Sequence, residues 1–378
     1  MVPQDSDQKR NRAATFDDTI DPIMAPPRPL PIHGRGASAN PANRFAALTI
    51  EPDPDERPGD EVPSLTTKFF RDFTRTIIAH NDSPDVGFES SINPYRGCEH
   101  GCIYCYARPT HEYLGFSAGL DFESRIMVKE DAPELLAAEL SSPRWQPQVI
   151  AMSGVTDPYQ PVERRLQLTR RCLAVLARFR NPVGIITKNQ LVTRDIDLLG
   201  ELAAHQAAAV NISVTSLDPK LQRILEPRTS SPRARLDAIT QLRQAGVPVG
   251  VMVAPIIPGL TDHEVPAILQ ACATAGAQWA GYTAVRLPLA VAPLFERWLE
   301  EHFPDRKEKI LGRIRHLRGG ERLNDPRYQS RMRGEGIFAE QISDLFATSC
   351  RRAGIGQRPV LSTAAFRRPN EQLSLFAD

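Results

Sequence analysis

The chain has 378 residues, 41% apolar and 24% charged, with a net charge of +1, enough for one large domain or a domain with appendages. Six cysteines without regular pairing, three of them close together, exclude a disulfide framework and point to a reducing compartment. Met1–Phe16 lacks the apolar core of a signal peptide and no stretch approaches a membrane span, so a soluble cytoplasmic protein with no membrane partner is expected.

Residues 1–62 are rich in Pro, Asp, Ser and Ala without a sustained hydrophobic period and read as mostly disordered. Within them, Gly34-Arg35-Gly36-Ala37-Ser38-Ala39-Asn40-Pro41-Ala42-Asn43-Arg44-Phe45 carries residues suited to a fixed turn path, with Arg35 and Arg44 able to reach phosphate or carboxylate. Docking on the core and a plain linker are both open for it. From Val86, β-branched runs near Glu89–Ile92, Val149–Ser153, Val183–Thr187, Val210–Thr215, Val247–Ala254 and Gly281–Val285 read as strands. Helical patterns at Ala132–Leu140, Leu166–Arg178, Arg194–Ala204, Arg233–Gln244 and Glu264–Ala275 separate them. Such alternation predicts an α/β fold with a parallel sheet and right-handed crossovers over residues 63–290. Leu294–Leu317 and Ile337–Ala353 read as helices packed on the open side of the sheet, in a basic extension over 291–365. Residues 366–378 read as a flexible tail.

The most informative run is Asn93-Pro94-Tyr95-Arg96-Gly97-Cys98-Glu99-His100-Gly101-Cys102-Ile103-Tyr104-Cys105-Tyr106-Ala107-Arg108. Three thiolates so closely spaced can hold three corners of one iron–sulfur cube. A cube has four irons, so one is left open to a small molecule, as reactive metal sites require. The alternative is a zinc site from Cys98, Cys102, Cys105 and His100 or a distant ligand, although zinc sites usually come as two separated pairs and no second pair is present.

Cys-x3-Cys-x2-Cys with an aromatic before the third Cys resembles the radical S-adenosylmethionine (SAM) superfamily. The longer string looks like its spore photoproduct lyase-like branch, which includes relatives of unknown substrate, and the resemblance runs from about Val86 to Pro288. It implies an open (β/α)6 partial barrel, a [4Fe-4S] cluster on Cys98, Cys102 and Cys105, and SAM chelated by the open iron. One electron then cleaves the sulfonium and releases a 5′-deoxyadenosyl radical. Spore photoproduct lyase uses a cysteine as hydrogen donor near its second strand. Met152 precedes Ser153 there in this chain, which counts against the same repair reaction, and no catalytic residue is assigned.

In parallel α/β folds the chemistry sits at the carboxyl ends of the strands. The cysteine loop follows the first strand. Ser153-Gly154-Val155-Thr156-Asp157-Pro158-Tyr159-Gln160 follows the second, and Ser153, Thr156 and the backbone around Gly154 are candidates for the SAM amine, although the turn departs from the superfamily's Gly-Gly-Glu type motif. Lys188, matching the lysine of a Thr/Ser-Lys motif, is the candidate for the SAM carboxylate. Its alternative is an ion pair with a neighbouring acid, since a buried unpaired ammonium is costly. Ser213 is the candidate for the ribose, and Tyr104 with Ala254–Ile257, Ile256 among them, for flanking the adenine. Arg228 either grips a carboxylate or phosphate or pairs with Glu226 or Asp218. Asp157, Glu163 and Asp262 either line the mouth of the site or serve as turn and cap residues, the reading their types favour. Cys172 and Cys272 read as core and Cys350 as exposed.

From Arg306 to Arg333, ten basic residues face three acids, a net +7, which suits either phosphate contact or a solvated helix face. Gln372-Leu373-Ser374-Leu375-Phe376 resembles the bacterial sliding-clamp binding motif, with an apolar terminal strand or helix end as the alternative. The expectation is a radical SAM lyase-like enzyme acting on nucleic acid in DNA repair. Its partners would be DNA, the sliding clamp, and a ferredoxin or flavodoxin as electron donor. The alternatives are modification of a protein, peptide or small metabolite, and a non-catalytic zinc-stabilised nucleic-acid-binding protein.

Overall fold

The computed structural model describes residues 32–45 and 66–369. Ten strands occur there: β1 Lys68–Arg71, β2 Ile78–His80, β3 Ser90–Ile92, β4 Tyr95–Arg96, β5 Arg125–Val128, β6 Ile150–Met152, β7 Val183–Thr187, β8 Ala208–Ser213, β9 Val249–Ile256 and β10 Ala280–Ala284. Seven form one sheet in the order β10-β9-β8-β7-β6-β3-β2, parallel except for β2 on the edge. The other three make a small sheet, β1-β5-β4.

The six expected strands are the parallel ones. Every residue of β8 and nearly all of β7 is buried, as a sheet covered on both faces requires, so these strands read as continuous apolar runs rather than alternating ones. Register aligns their carboxyl ends: Ile92 lies beside Met152, Met152 beside Ile185, and Ser213 beside Met252. Gly250 in β9 has no substitute, because a Cβ there would lie 2.2 Å from the Trp279 ring, whose Nε1 donates to Asn211 Oδ1 at 2.8 Å. β9 runs two residues further than expected, to Ile256, since β10 continues beside it through an irregular register between Tyr282 and Ala284.

Two expected helices are broken. Gln167, with φ +53°, separates Glu163–Leu166 from Leu168–Phe179. Pro304 opens a new turn after Phe303, dividing Val291–His302 from Lys307–Leu317, because proline cannot continue the preceding hydrogen-bond ladder. These last two helices bury Phe295, Trp298, Leu299, Ile310, Leu311 and Ile314 against the cysteine-loop side of the barrel, around Ile103, Leu225 and Ile257. Helix Ile337–Arg352 packs instead on helix Val265–Ala275 and the main core. Among the described residues no helix is long and apolar enough to cross a membrane.

Two later segments tie the fold together. Arg318 donates to the carbonyls of Ala284 and Val285 at the end of β10, and Arg331 pairs with Asp85 between β2 and β3. Residues 318–331 therefore reach from the last strand to the first. Along the opposite edge of the sheet, the amides of Gly356, Ser362 and Arg367 donate to the carbonyls of Gln278, Gln206 and Phe179, each at 2.9 Å. Phe366 also rests on Phe179. The expected flexible tail is thus anchored through Arg368, while Gln372–Phe376 lies outside the described residues.

Candidate active site

Cys98, Cys102 and Cys105 sit between β4 and the 3-10 turn Arg108–Leu114, at the strand ends where β3 delivers the chain. All three are free thiols, Cys98 and Cys102 buried and Cys105 half-buried. Burial pushes each thiol up from its ordinary value. For Cys98, the Asp157 carboxylate and the other two cysteines push it further. The loop as it stands favours three neutral thiols, and a bound cluster would take the place of their protons.

Among the described residues no three His, Cys, Asp or Glu side chains converge as one metal ion requires. His100 is also engaged on both ring nitrogens. Nε2 is 3.2 Å from the Asn189 amide nitrogen and Nδ1 is 3.4 Å from Asp157 Oδ2. Because Asn189 Oδ1 accepts from Leu191 N and Ser230 Oγ, its NH2 group faces His100 and leaves the imidazole proton on Nδ1.

The loop's shape comes from two buried arginine–carboxylate systems. The first is Arg108, fully buried and ion-paired to Glu123. Its other donors reach the carbonyls of Cys102 at 3.0 Å, Gly119 at 2.9 Å, Ala118 at 3.2 Å and Gly101 at 3.3 Å. Glu99 is the second centre: its carboxylate accepts from Val162 N at 2.7 Å and pairs with Arg228 at 3.1 Å, and its amide donates to Gln160 Oε1 at 3.0 Å. Arg228 therefore pairs with the cysteine loop and not with Glu226 or Asp218, because the chain returns at this point to give Arg228 N to the carbonyl of His100.

The candidates for SAM contact gather beside this loop. Ser153 follows β6 with φ +126°, a region that costs a non-glycine residue about 1–3 kcal/mol. Gly154 follows, and a Cβ there would come within 2.9 Å of Ser91 Oγ. Its carbonyl accepts from Tyr106 OH at 3.0 Å, tying the turn to the cysteine loop. Asn93 Oδ1 accepts from Val155 N and Thr156 N, and the Thr156 hydroxyl donates to Tyr95 O at 3.0 Å. The Thr156 side chain thus braces the turn. Ile256 lies inside β9 with its side chain in the main core.

Lys188 forms the ion pair considered as its alternative. Nζ is 3.1 Å from Glu226 Oε1, 2.9 Å from Ser213 Oγ and 2.8 Å from the carbonyl of Ala254, and it stands 5.7 Å from the Tyr104 ring centre. Glu226 is the hub of this group. It also takes the Arg235 guanidinium, Thr215 Oγ1 at 2.7 Å and the Tyr104 hydroxyl. Burial alone would raise its carboxyl, but Arg235, then Lys188 and the two hydroxyls, hold it well below the usual carboxylate range. Tyr104, Lys188, Ser213 and Thr215 are therefore one connected polar group. Asp157 is a second hub, accepting from Thr187 Oγ1, Lys188 N and Tyr159 N; burial raises its carboxyl, and His100 with these donors brings it below its ordinary value.

Glu163, read as a cap residue, is fully buried and accepts from Tyr95 OH, Thr169 N and Arg194. Asp262 faces Arg313 at 3.6 Å. Cys172 and Cys272 are core residues, and Cys350 is half-buried rather than exposed. Much of the basic stretch is engaged within the fold: Lys307, Arg313, Arg315, Arg327 and Arg331 form ion pairs, and Arg318 serves carbonyls. Arg108, Glu123 and Arg235 were not singled out from sequence. Arg108 closes the quoted cysteine run, but its ion-pair partner Glu123 lies outside that run.

Residues 92–272 match the family described as Radical SAM superfamily. An uncharacterized protein of Mycobacterium tuberculosis is 38% identical over 263 residues, covering 69% of this chain and 74% of the relative. A protein of Pseudomonas phage M6 named radical SAM Nalpha-GlyT isomerase is 26% identical over 172 residues, 45% of this chain and 34% of the relative. Among solved structures, spore photoproduct lyase complexed with dinucleoside spore photoproduct matches with a TM-score of 0.53 at 17% identity, covering 75% of this chain and 79% of that one. A double mutant of that enzyme, with bound AdoMet and the same dinucleoside, matches with a TM-score of 0.50 at 17% identity over 75% and 78% of the two chains. The fold is that of these lyases. The cysteine loop, the strand-end polar group and the sequence match together place the chain in the radical SAM superfamily, as a radical SAM enzyme.

Proposed function

We propose that the chain binds a [4Fe-4S] cluster through Cys98, Cys102 and Cys105, binds SAM across the neighbouring strand ends, and acts on nucleic acid. When bound, the cluster supplies one electron to SAM, whose cleavage yields a 5′-deoxyadenosyl radical. The protein's own part is positioning. Arg108 and Glu99 fix the ligand loop, and the strained turn at Ser153 offers backbone and hydroxyl acceptors for the amine. Ser213 and Lys188 meet the carboxylate and ribose, Lys188 exchanging one of its present partners to do so. Burial around Tyr104 keeps water from the reacting atoms.

The observation that carries the reading is the single polar group formed by Tyr104, Lys188, Ser213 and Glu226 against three thiols, two buried and one half-buried. For the substrate, support comes from the mouth of the site. Tyr106, next to Cys105, is 47% exposed with Arg286 over its ring at 5.1 Å, and the Arg286 Nε is buried without a hydrogen-bond partner. Tyr328 is 54% exposed beside Arg331. Exposed aromatics interleaved with arginines suit stacked bases and phosphates. The spore photoproduct lyase structure holds a dinucleoside lesion, a ligand of the same class. A clamp contact through Gln372–Phe376 and an electron from a ferredoxin or flavodoxin belong to the same proposal.

The test is anaerobic reconstitution followed by reduction in the presence of SAM, with and without DNA oligonucleotides. Formation of 5′-deoxyadenosine that increases with DNA is expected. Formation indifferent to DNA but stimulated by peptides or metabolites would move the substrate elsewhere.

A further inference from the structure

The segment before the barrel is built into the cysteine loop. Gly36 N donates to Glu123 Oε2 at 3.0 Å and Ala37 N to Oε1 at 2.9 Å, so Glu123 is shared between this segment and Arg108. Arg35 Nη1 donates to the Glu123 carbonyl at 2.7 Å. A side chain at Gly36 is impossible: its Cβ would fall 1.8 Å from the carbonyl oxygen of Gly101, between Cys98 and Cys102. Ala37 is buried in the same apolar group as Cys102, Ile103 and Tyr104. Further along, Ser117 Oγ donates to Pro41 O at 2.6 Å and Leu120 N to Ala39 O. Asn43 Nδ2 reaches the carbonyls of Glu112 and Phe116, both at 2.9 Å, and Arg44 Nε reaches Glu112 Oε2 at 2.7 Å.

We infer that residues 35–44 are a wall of the cluster site, setting the loop that bears Cys98 and Cys102 and shielding its flank from solvent. Without the amides of Gly36 and Ala37, Glu123 keeps Arg108 as its partner but loses two of its three donors, and a buried carboxylate so stripped is costly. Arg108 would then hold the carbonyls of Gly101 and Cys102 less firmly, and water and oxidants would reach the ligand loop. The inference rests on the cluster reading above.

The test uses the reconstituted full-length protein and follows iron per chain and the bleaching of the visible charge-transfer band by an iron chelator or air. Asn43→Ala with Arg44→Ala should release iron about tenfold faster than wild type, the weight of the part-buried hydrogen bonds lost to Glu112 and Phe116. Gly36→Val should release it faster still. Thermal unfolding of the iron-free Asn43→Ala/Arg44→Ala protein should stay close to wild type, which separates a cluster effect from a general loss of fold. Gly87→Ala, with open space around its Cβ, is the control. Release from the double variant indistinguishable from wild type overturns the inference alone. Failure of the wild type to take up iron overturns the cluster reading and this inference with it.

Discussion

Glu226→Gln is the most informative single perturbation of the polar group. The carboxylate is fully buried, and its charge is set against Arg235, 1% exposed, and Lys188, half-shielded behind Tyr104. Glutamine keeps the shape and an acceptor but leaves two cations without an anion. Removing one partner of a buried pair costs about 3–5 kcal/mol, equivalent to a fall of about 1–2 M in urea midpoint for a chain of this size. Lys188→Met should cost less, about 1–2 kcal/mol, because Arg235, Thr215 and Tyr104 still satisfy Glu226. Adding Arg235→Met to Glu226→Gln should recover part of the loss by removing one stranded charge. Because the Glu226 carboxyl lies below its unfolded value, its contribution is present above the unfolded carboxylate range and disappears as pH falls through the folded value. Urea unfolding at neutral pH is the assay. A Glu226→Gln protein as stable as wild type, or less affected than Lys188→Met, would refute the charge balance argued for this group.

His111 is fully buried beside Phe116 and Phe122, and burial pushes its imidazole down to about 4. The unfolded chain therefore binds the extra proton, so stability is complete above about pH 6.5 and on the order of 3 kcal/mol is lost as pH falls to 4. Unfolding of His111→Leu should be flatter across that range, and an unchanged pH profile would contradict the assignment. Arg286→Gln should weaken DNA binding with a salt slope reduced by about one; an unchanged slope in a salt titration would remove Arg286 from the phosphate path. Deleting Gln372–Asp378 should abolish retention on immobilised sliding clamp while leaving 5′-deoxyadenosine formation intact. An intact chain that is not retained would end the clamp proposal.

The six parallel strands were legible because each is a short β-branched run bounded by turn residues, and their carboxyl ends could be read in order. The strands of the small sheet were not, since β4 has two residues and its pairing with β5 joins segments that local pattern cannot connect. The three cysteines were legible as candidate ligands because their spacing is local. What shapes them was not. Glu123 is far in sequence from Gly36, and Glu99 is farther still from Arg228. Lys188 could be read as needing an anion, and the structure supplies Glu226, a residue whose neighbour Arg228 looked the better candidate for pairing. The Gly34–Phe45 segment had residues fit for a fixed path, but only the fold provides the carboxylates of Glu112 and Glu123 that hold it.

The central claim is an open iron in a cluster held by Cys98, Cys102 and Cys105. Electron–nuclear double resonance on the reduced, reconstituted protein with SAM labelled at its amine nitrogen and carboxylate oxygen tests it most directly. The account predicts about four irons per chain, coupling of both labelled atoms to the cluster, and loss of the cluster signal in Cys105→Ala. A protein that binds zinc in place of iron, or a cluster that shows no coupling to labelled SAM, would contradict it.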